Sequence, residues 1–119
     1  MTVRRLKTYT GNTGYVYQYY YVGRRTAIGQ GQSPSTEYVF DVTSDRKTTY
    51  AVSVLLPSLV LEAWTAAHGR VLTDAEQYAA VKMRLFQAFD ELEDLPRQSR
   101  SLVIDPEALE TALSTLGVE

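Results

Sequence analysis

The chain has 119 residues, of which 45% are hydrophobic and 22% are charged, and it contains no cysteine. This is the composition of a folded domain of ordinary size, so it excludes a disordered chain, a disulfide scaffold and a thiolate metal site. The formal net charge is −2. Basic side chains are in excess over residues 1–50 and acidic ones over residues 51–119, which suits an anionic partner or association between copies.

The sequence contains no signal for membrane insertion or export. No stretch approaches the ~20 consecutive apolar residues that a helix needs to cross a bilayer. Residues 1–7 are basic but are not followed by the apolar segment of a secretory signal. We therefore expect a cytoplasmic protein with no membrane partner.

The first predicted element is a β-hairpin. Residues 3–9 form a short mixed run, and residues 11–14 have the composition of a turn. Residues 15–22 are rich in tyrosine and valine, which favour strands. A loop of either two or four residues would place Thr10 opposite Tyr15.

This register assigns the hairpin side chains to two faces. Leu6 then lies opposite Tyr19, on one face with the odd-numbered tyrosines from Tyr15 to Tyr21, and we expect helices to cover that face. The other face is basic and aromatic and open to solvent. Together with two arginines that follow the second strand, it is the predicted binding surface: Arg5, Lys7, Tyr9, Gln18, Tyr20, Arg24 and Arg25.

A second strand pair is predicted after an exposed loop. The loop comprises residues 23–36, which are rich in glycine, serine, threonine and glutamine. The strands comprise residues 37–43 and 48–55. Every second residue in them is large and apolar: Tyr38, Phe40 and Val42 in the first strand, and Tyr50, Val52 and Val54 in the second. Both triplets share one face only if the loop has an odd number of residues, so we expect three or five.

Two helices are predicted next. The first begins at Pro57, which suits a first helical turn, and ends before Gly69. The second begins with the capping box formed by Thr73 and Glu76. Its apolar residues recur at helical spacing until shortly before Pro96.

The last predicted element is a third helix. Asp105 caps its start, and Gly117 closes it. Residues 91–101 are predicted to be a polar connector. The whole chain, residues 1–119, is therefore predicted to be one α+β domain, with a four-stranded, mostly antiparallel sheet in its N-terminal half and three C-terminal helices packed on one face.

The sequence shows no motif of a catalytic or metal site. His68 is the only histidine, and its place at a helix end suits an interaction with the helix dipole. With one histidine and no cysteine, the usual zinc sites cannot form within the chain. The acidic residues 90–94 lack the glycine and spacing of a calcium loop, and residues 29–31 lack the pattern of a phosphate loop. We therefore expect that the protein is not an enzyme and that it has no catalytic residue, no metal and no cofactor.

Two functions fit the predicted binding surface. Tyrosine and arginine are both enriched at protein interfaces, and an acidic C-terminal half suits the basic half of a second copy. The leading hypothesis is thus a binding or assembly module that acts through protein–protein contacts and self-associates as a homodimer. The alternative is single-stranded nucleic-acid binding, with tyrosines stacked on bases and basic side chains on phosphates.

Overall fold

A computed structural model of the chain describes residues 6–12, 14, 16–28, 34–91 and 101–118. Within them it contains five strands and three helices: β1 (Lys7–Thr10), β2 (Val16–Ala27), β3 (Ser35–Thr43), β4 (Tyr50–Pro57), α1 (Ser58–His68), α2 (Asp74–Glu91), β5 (Ser101–Val103) and α3 (Pro106–Thr115). The predicted α+β class, with a sheet followed by three helices, is confirmed.

The strands form one mixed sheet in the order β1-β2-β3-β4-β5. The first four are antiparallel to their neighbours, whereas β5 runs parallel to β4, with Leu102 beside Val54. A parallel neighbour needs a crossover connection, and α1 and α2 lie in that connection. The prediction of four strands is therefore corrected to five. A strand of three residues is too short to show an alternating pattern, and it exists because β4 offers an edge for pairing.

The core lies between one face of the sheet and the helices. Its buried sheet residues are Tyr17, Tyr19, Tyr38, Phe40, Val42, Tyr50, Val52, Val54, Leu56 and Leu102, and its buried helical residues are Trp64, Ala80, Val81, Leu85, Ala88, Phe89, Leu109 and Leu113. Burial of each large side chain contributes about 1.5–3 kcal/mol to folding.

The β3–β4 hairpin has the predicted buried face but a longer loop. Both apolar triplets are buried. Val42 pairs with Tyr50, so residues 43–49 connect them, an odd number as required but more than three or five. The loop supplies its own hydrogen bonds: the Asp45 carboxylate accepts from the backbone N–H groups of Lys47 and Thr48, both at 2.8 Å. These two bonds, Thr48 first, lower the pKa of Asp45.

The predicted helix caps are present. The Glu76 N–H donates to Thr73 Oγ1 at 3.1 Å, and the Thr73 N–H donates to Glu76 Oε1 at 2.9 Å, which completes the capping box of α2. The Ala108 N–H donates to the Asp105 carboxylate at 2.7 Å at the start of α3. Gly69, with φ of 72°, ends α1.

The β1–β2 register differs from the predicted one by a single residue. Lys7, not Leu6, lies opposite Tyr19, and Tyr9 lies opposite Tyr17. The last pair is Thr10 with Val16, so residues 11–15 connect the strands. The predicted loop of two or four residues is therefore wrong.

Contacts of Tyr9 with α2 explain this register. Its ring stacks on Phe86 with centroids 4.4 Å apart, and its hydroxyl donates to the Asp90 carboxylate at 2.9 Å. The Asn12 N–H donates to the same carboxylate at 3.1 Å. A one-residue slip would turn Tyr9 to the other face and lose these contacts.

Much of the predicted loop over residues 23–36 is strand instead. β2 continues to Ala27 and pairs with β3 as far as Ser35. A β-bulge between Tyr21 and Gly23 shifts the register within β2. Residues 29–33 lie outside the described part of the chain. Residues 23–27 show no alternation of apolar and polar side chains. This extension of β2 therefore depends on pairing with β3.

Candidate functional site

The corrected register divides the predicted binding residues of the first hairpin between two faces. Lys7 and Tyr9 lie on the face that the helices cover, since they are opposite the buried Tyr19 and Tyr17. Gln18 and Tyr20 alternate with those tyrosines and lie on the other face. Arg5 lies outside the described residues.

The two arginines after the bulge also point to opposite faces. Arg24 is opposite the buried Tyr38, whereas Arg25 is opposite Glu37. The Arg24 guanidinium lies 3.3 Å from the Asp74 carboxylate at the start of α2. The described members of the predicted surface therefore form two separate groups, with Lys7, Tyr9 and Arg24 on the helix side and Gln18, Tyr20 and Arg25 on the other.

Two of the four tyrosines of β2, Tyr17 and Tyr19, are part of the core. Tyr17 stacks on Phe89 with centroids 4.2 Å apart, and Tyr19 meets Phe86 edge-on at 5.7 Å. Burial raises the pKa of Tyr19. Tyr20 is the described tyrosine of β2 on the opposite face, and its hydroxyl donates to Asp41 at 2.7 Å. The rings that would stack on bases are thus largely engaged within the protein.

We call the sheet face that points away from the helices the open face. Strand alternation and register assign it these residues: Thr8, Thr10, Val16, Gln18, Tyr20, Gly23, Arg25, Ala27, Ser35, Glu37, Val39, Asp41, Thr43, Ala51, Ser53, Leu55, Pro57, Ser101 and Val103. No described element covers it.

Three apolar side chains lie on neighbouring strands of the open face: Val39 on β3, Leu55 on β4 and Val103, opposite Leu55, on β5. Val103 is 50% exposed, and Val39 and Leu55 are half-buried. Val16, 43% exposed, lies on the same face but at the other end of β2. Neighbouring exposed apolar residues are typical of an interaction surface.

Each charged group of the open face has a polar partner on the same face. The Arg25 guanidinium donates to the Glu37 carboxylate, and Asp41 accepts the hydroxyl of Tyr20. The Arg25 contact, followed by a hydrogen bond from Ser53, lowers the pKa of Glu37. The carboxylate therefore stays ionised and compensated at neutral pH, and the face has no excess of positive charge among its described residues.

These apolar residues were not among the predicted binding residues. The available signal was an apolar residue at a strand position that alternation assigns to solvent, as Val39 is between Tyr38 and Phe40. In a sheet with one face in water, that position would normally be polar. Val103 could not be placed, because β5 itself was not predicted.

The other described features do not indicate a catalytic or metal site. Among the described residues, no cluster of three or more histidine, aspartate or glutamate side chains is placed to hold a metal ion. His68 Nε2 lies 2.7 Å from Glu110 Oε1, and its ring stacks on Trp64 at 4.3 Å, so it connects α1 with α3. None of the described helices is long and apolar enough to cross a membrane.

Comparison with protein-family models, with curated proteins and with solved structures gives no match to this chain. Its function is therefore inferred from its surfaces alone.

Proposed function

We propose that the protein is a small non-enzymatic assembly module that forms a homodimer by packing the open faces of two copies together. The group of apolar side chains formed by Val39, Leu55 and Val103 on an uncovered sheet face supports this proposal. Two sheets packed face to face, ~10 Å apart, bury such groups between them, as in β-sandwiches. The dimer would thus complete a second apolar layer on the side of the sheet opposite the helices.

The charge of the open face favours a second copy over an anionic polymer. Among its described residues, the face carries one basic side chain, Arg25, and two acidic ones, Glu37 and Asp41. Because a twofold interface brings the same patch of both subunits together, a strong charge of either sign would repel itself. The Arg25–Glu37 pair is neutral as a whole, so only the single charge of Asp41 is left on the face of each copy.

The area of the open face is also adequate. With ~4.8 Å between strands and a rise of ~3.3 Å per residue, the five strands cover a flat area of roughly 600 Å². The accessible area of a corrugated surface is larger than its flat projection. The accessible area of the open face therefore approaches the ~800 Å² per partner of a standard protein interface.

The test is the mass of the protein in solution. Light scattering should give twice the 13.4 kDa of one chain. Val39→Lys introduces one positive charge per copy, and hence two like charges, near the middle of the proposed interface. We therefore expect the dissociation constant of the dimer to rise at least ~100-fold. Val71→Lys is the matched control, because Val71 is 73% exposed in the α1–α2 connection.

Two results would contradict the proposal. One is a wild-type protein that remains monomeric at high concentration. The other is a folded Val39→Lys variant that dimerises as well as Val71→Lys does. Circular dichroism of both variants separates loss of association from loss of folding.

Single-stranded nucleic-acid binding has weaker support. It requires basic and aromatic side chains on one accessible surface. Among the described residues, Lys7 and Arg24 lie on the helix side, and Arg25 lies on the open face beside Glu37. A labelled oligonucleotide that binds at low salt, and is released as salt rises, would restore this alternative.

A further inference from the structure

A hollow of about 450 Å³ lies on the helix side of the sheet, where β2 and β3 meet the first turn of α2. Its lining residues are Tyr21, Arg24, Tyr38, Asp74, Ala75 and Tyr78. This volume is in the range of small-molecule sites. Because the hollow and the open face are on opposite sides of the sheet, it is independent of the proposed dimer.

Aromatic rings form most of the apolar wall. The ring centroids of Tyr21 and Tyr78 are 5.0 Å apart, and Tyr38 lies 6.3 Å from the first and 6.4 Å from the second. The rings are tilted against one another by 36–59°. Such an arrangement suits a planar apolar group that packs on a ring face or edge.

One buried polar atom in this wall is unsatisfied. Tyr38 is 1% exposed, and within the described part of the chain its O–H donates to no acceptor. Buried hydroxyl groups are normally hydrogen-bonded, so an exception needs an explanation. A ligand that accepts this O–H would provide one.

A cation lies next to that hydroxyl. Arg24 is the cross-strand partner of Tyr38, and its contact with the Tyr38 oxygen, followed by that with Asp74, raises the pKa of the guanidinium. The Arg24–Asp74 pair has side-chain exposures of 45% and 78%. An ion pair that is so exposed to water contributes little to stability. The carboxylate of a ligand can therefore replace that of Asp74 on Arg24.

We propose that this hollow binds a small carboxylic acid with a planar apolar body. The ligand carboxylate takes the place of Asp74 on Arg24 and accepts the Tyr38 O–H, while the body packs against Tyr21 and Tyr78. The start of α2 adds partial positive charge. A single arginine suits a monoanion better than a phosphate dianion, and its planar fork matches a carboxylate.

The experiment uses benzoate as the probe and benzamide as its neutral counterpart, with binding followed by NMR signals of the Arg24 guanidinium and the Tyr38 ring. We expect saturable shifts with benzoate at a Kd on the order of millimolar, as for other ligands of this size. Benzamide should bind at least ~10-fold more weakly, because it lacks the charge that pairs with Arg24.

Four variants separate the proposed contacts. Arg24→Gln should weaken benzoate binding at least ~10-fold, and Tyr38→Phe by several-fold. Asp74→Asn should strengthen binding, because the competing carboxylate is removed. Arg25→Gln is the matched control: it changes the neighbouring arginine, which is also paired with a carboxylate, but on the open face.

Three results would overturn the proposal. They are equal binding of benzamide and benzoate, equal losses in Arg24→Gln and Arg25→Gln, or weaker binding in Asp74→Asn. Tyr38→Phe changes one atom and Asp74 is exposed, so both variants should fold, which amide NMR spectra would verify. Because the mass measurement concerns the other face, failure here leaves the dimer proposal unchanged.

Discussion

Gly11 shows how closely the first hairpin packs on α2. A Cβ at this position would lie 2.2 Å from the Phe89 carbonyl oxygen and 2.9 Å from its carbon. Both are backbone atoms of a helix, so neither can rotate away. Either the hairpin or the end of α2 must move if any side chain is added at residue 11.

We therefore expect Gly11→Ala to lower the free energy of unfolding by about 1–3 kcal/mol, the usual cost of overpacking. Urea denaturation measures this change. Gly23→Ala is the control, because a Cβ at Gly23 would have no neighbour within 4 Å. Equal stability of the two variants would show that the hairpin does not pack on α2 as described.

Arg70 connects the start of α2 with α1. Arg70 donates two hydrogen bonds to Glu76, at 3.0 and 2.9 Å, and its guanidinium lies 5.4 Å from the centre of the Trp64 ring. Hydrogen bonds from Arg70, and then from the Thr73 N–H, lower the pKa of Glu76 from 4.5 to about 2. The capping box thus also connects two helices.

This carboxylate makes stability depend on pH. Because its pKa is lower in the folded state, its stabilising effect is complete above the unfolded value of 4.5 and is lost as the pH falls towards about 2. Glutamine can still cap the helix, so Glu76→Gln removes the charge and keeps the capping box. Urea unfolding between about pH 6 and about pH 2 should show a shallower loss of stability in the variant. Parallel curves for variant and wild type would contradict the assignment.

At the scale of the whole molecule, the last helix completes the core that the sheet begins. Leu102, Ile104, Leu109 and Leu113 are each no more than 4% exposed and belong to the same core as the strands. The single tryptophan, Trp64, is buried in α1. The sheet and helices should therefore unfold together.

Leu113→Ala should lower the free energy of unfolding by about 2–5 kcal/mol, as expected for a large cavity in a core. Leu116→Ala, at a position that is 42% exposed, is the control and should change stability little. Trp64 fluorescence and circular dichroism should give one coincident transition in both variants. Separate transitions would show that the helices and the sheet are not one cooperative unit.

The sequence alone predicted those features of the fold whose deciding contacts are local. The capping box of α2 spans four consecutive residues, Thr73 to Glu76, and the cap of α3 depends on Asp105 and the turn that follows it. The alternation in β3 and β4 also predicted their buried face, since period-two burial is visible within one strand. For the candidate interface, the sequence correctly placed Gln18 and Tyr20 on the uncovered face.

Tertiary structure decided the features whose partners are distant in the chain. Tyr9 is paired with Phe86 and Asp90, β5 depends on β4, and the extension of β2 depends on β3. A strand shifted by one residue keeps its local pattern but exchanges its faces, so only packing against α2 could select the register. Packing against α2 thus placed Lys7 and Tyr9 on the helix side, and the bulge between Tyr21 and Gly23 placed Arg24 there as well.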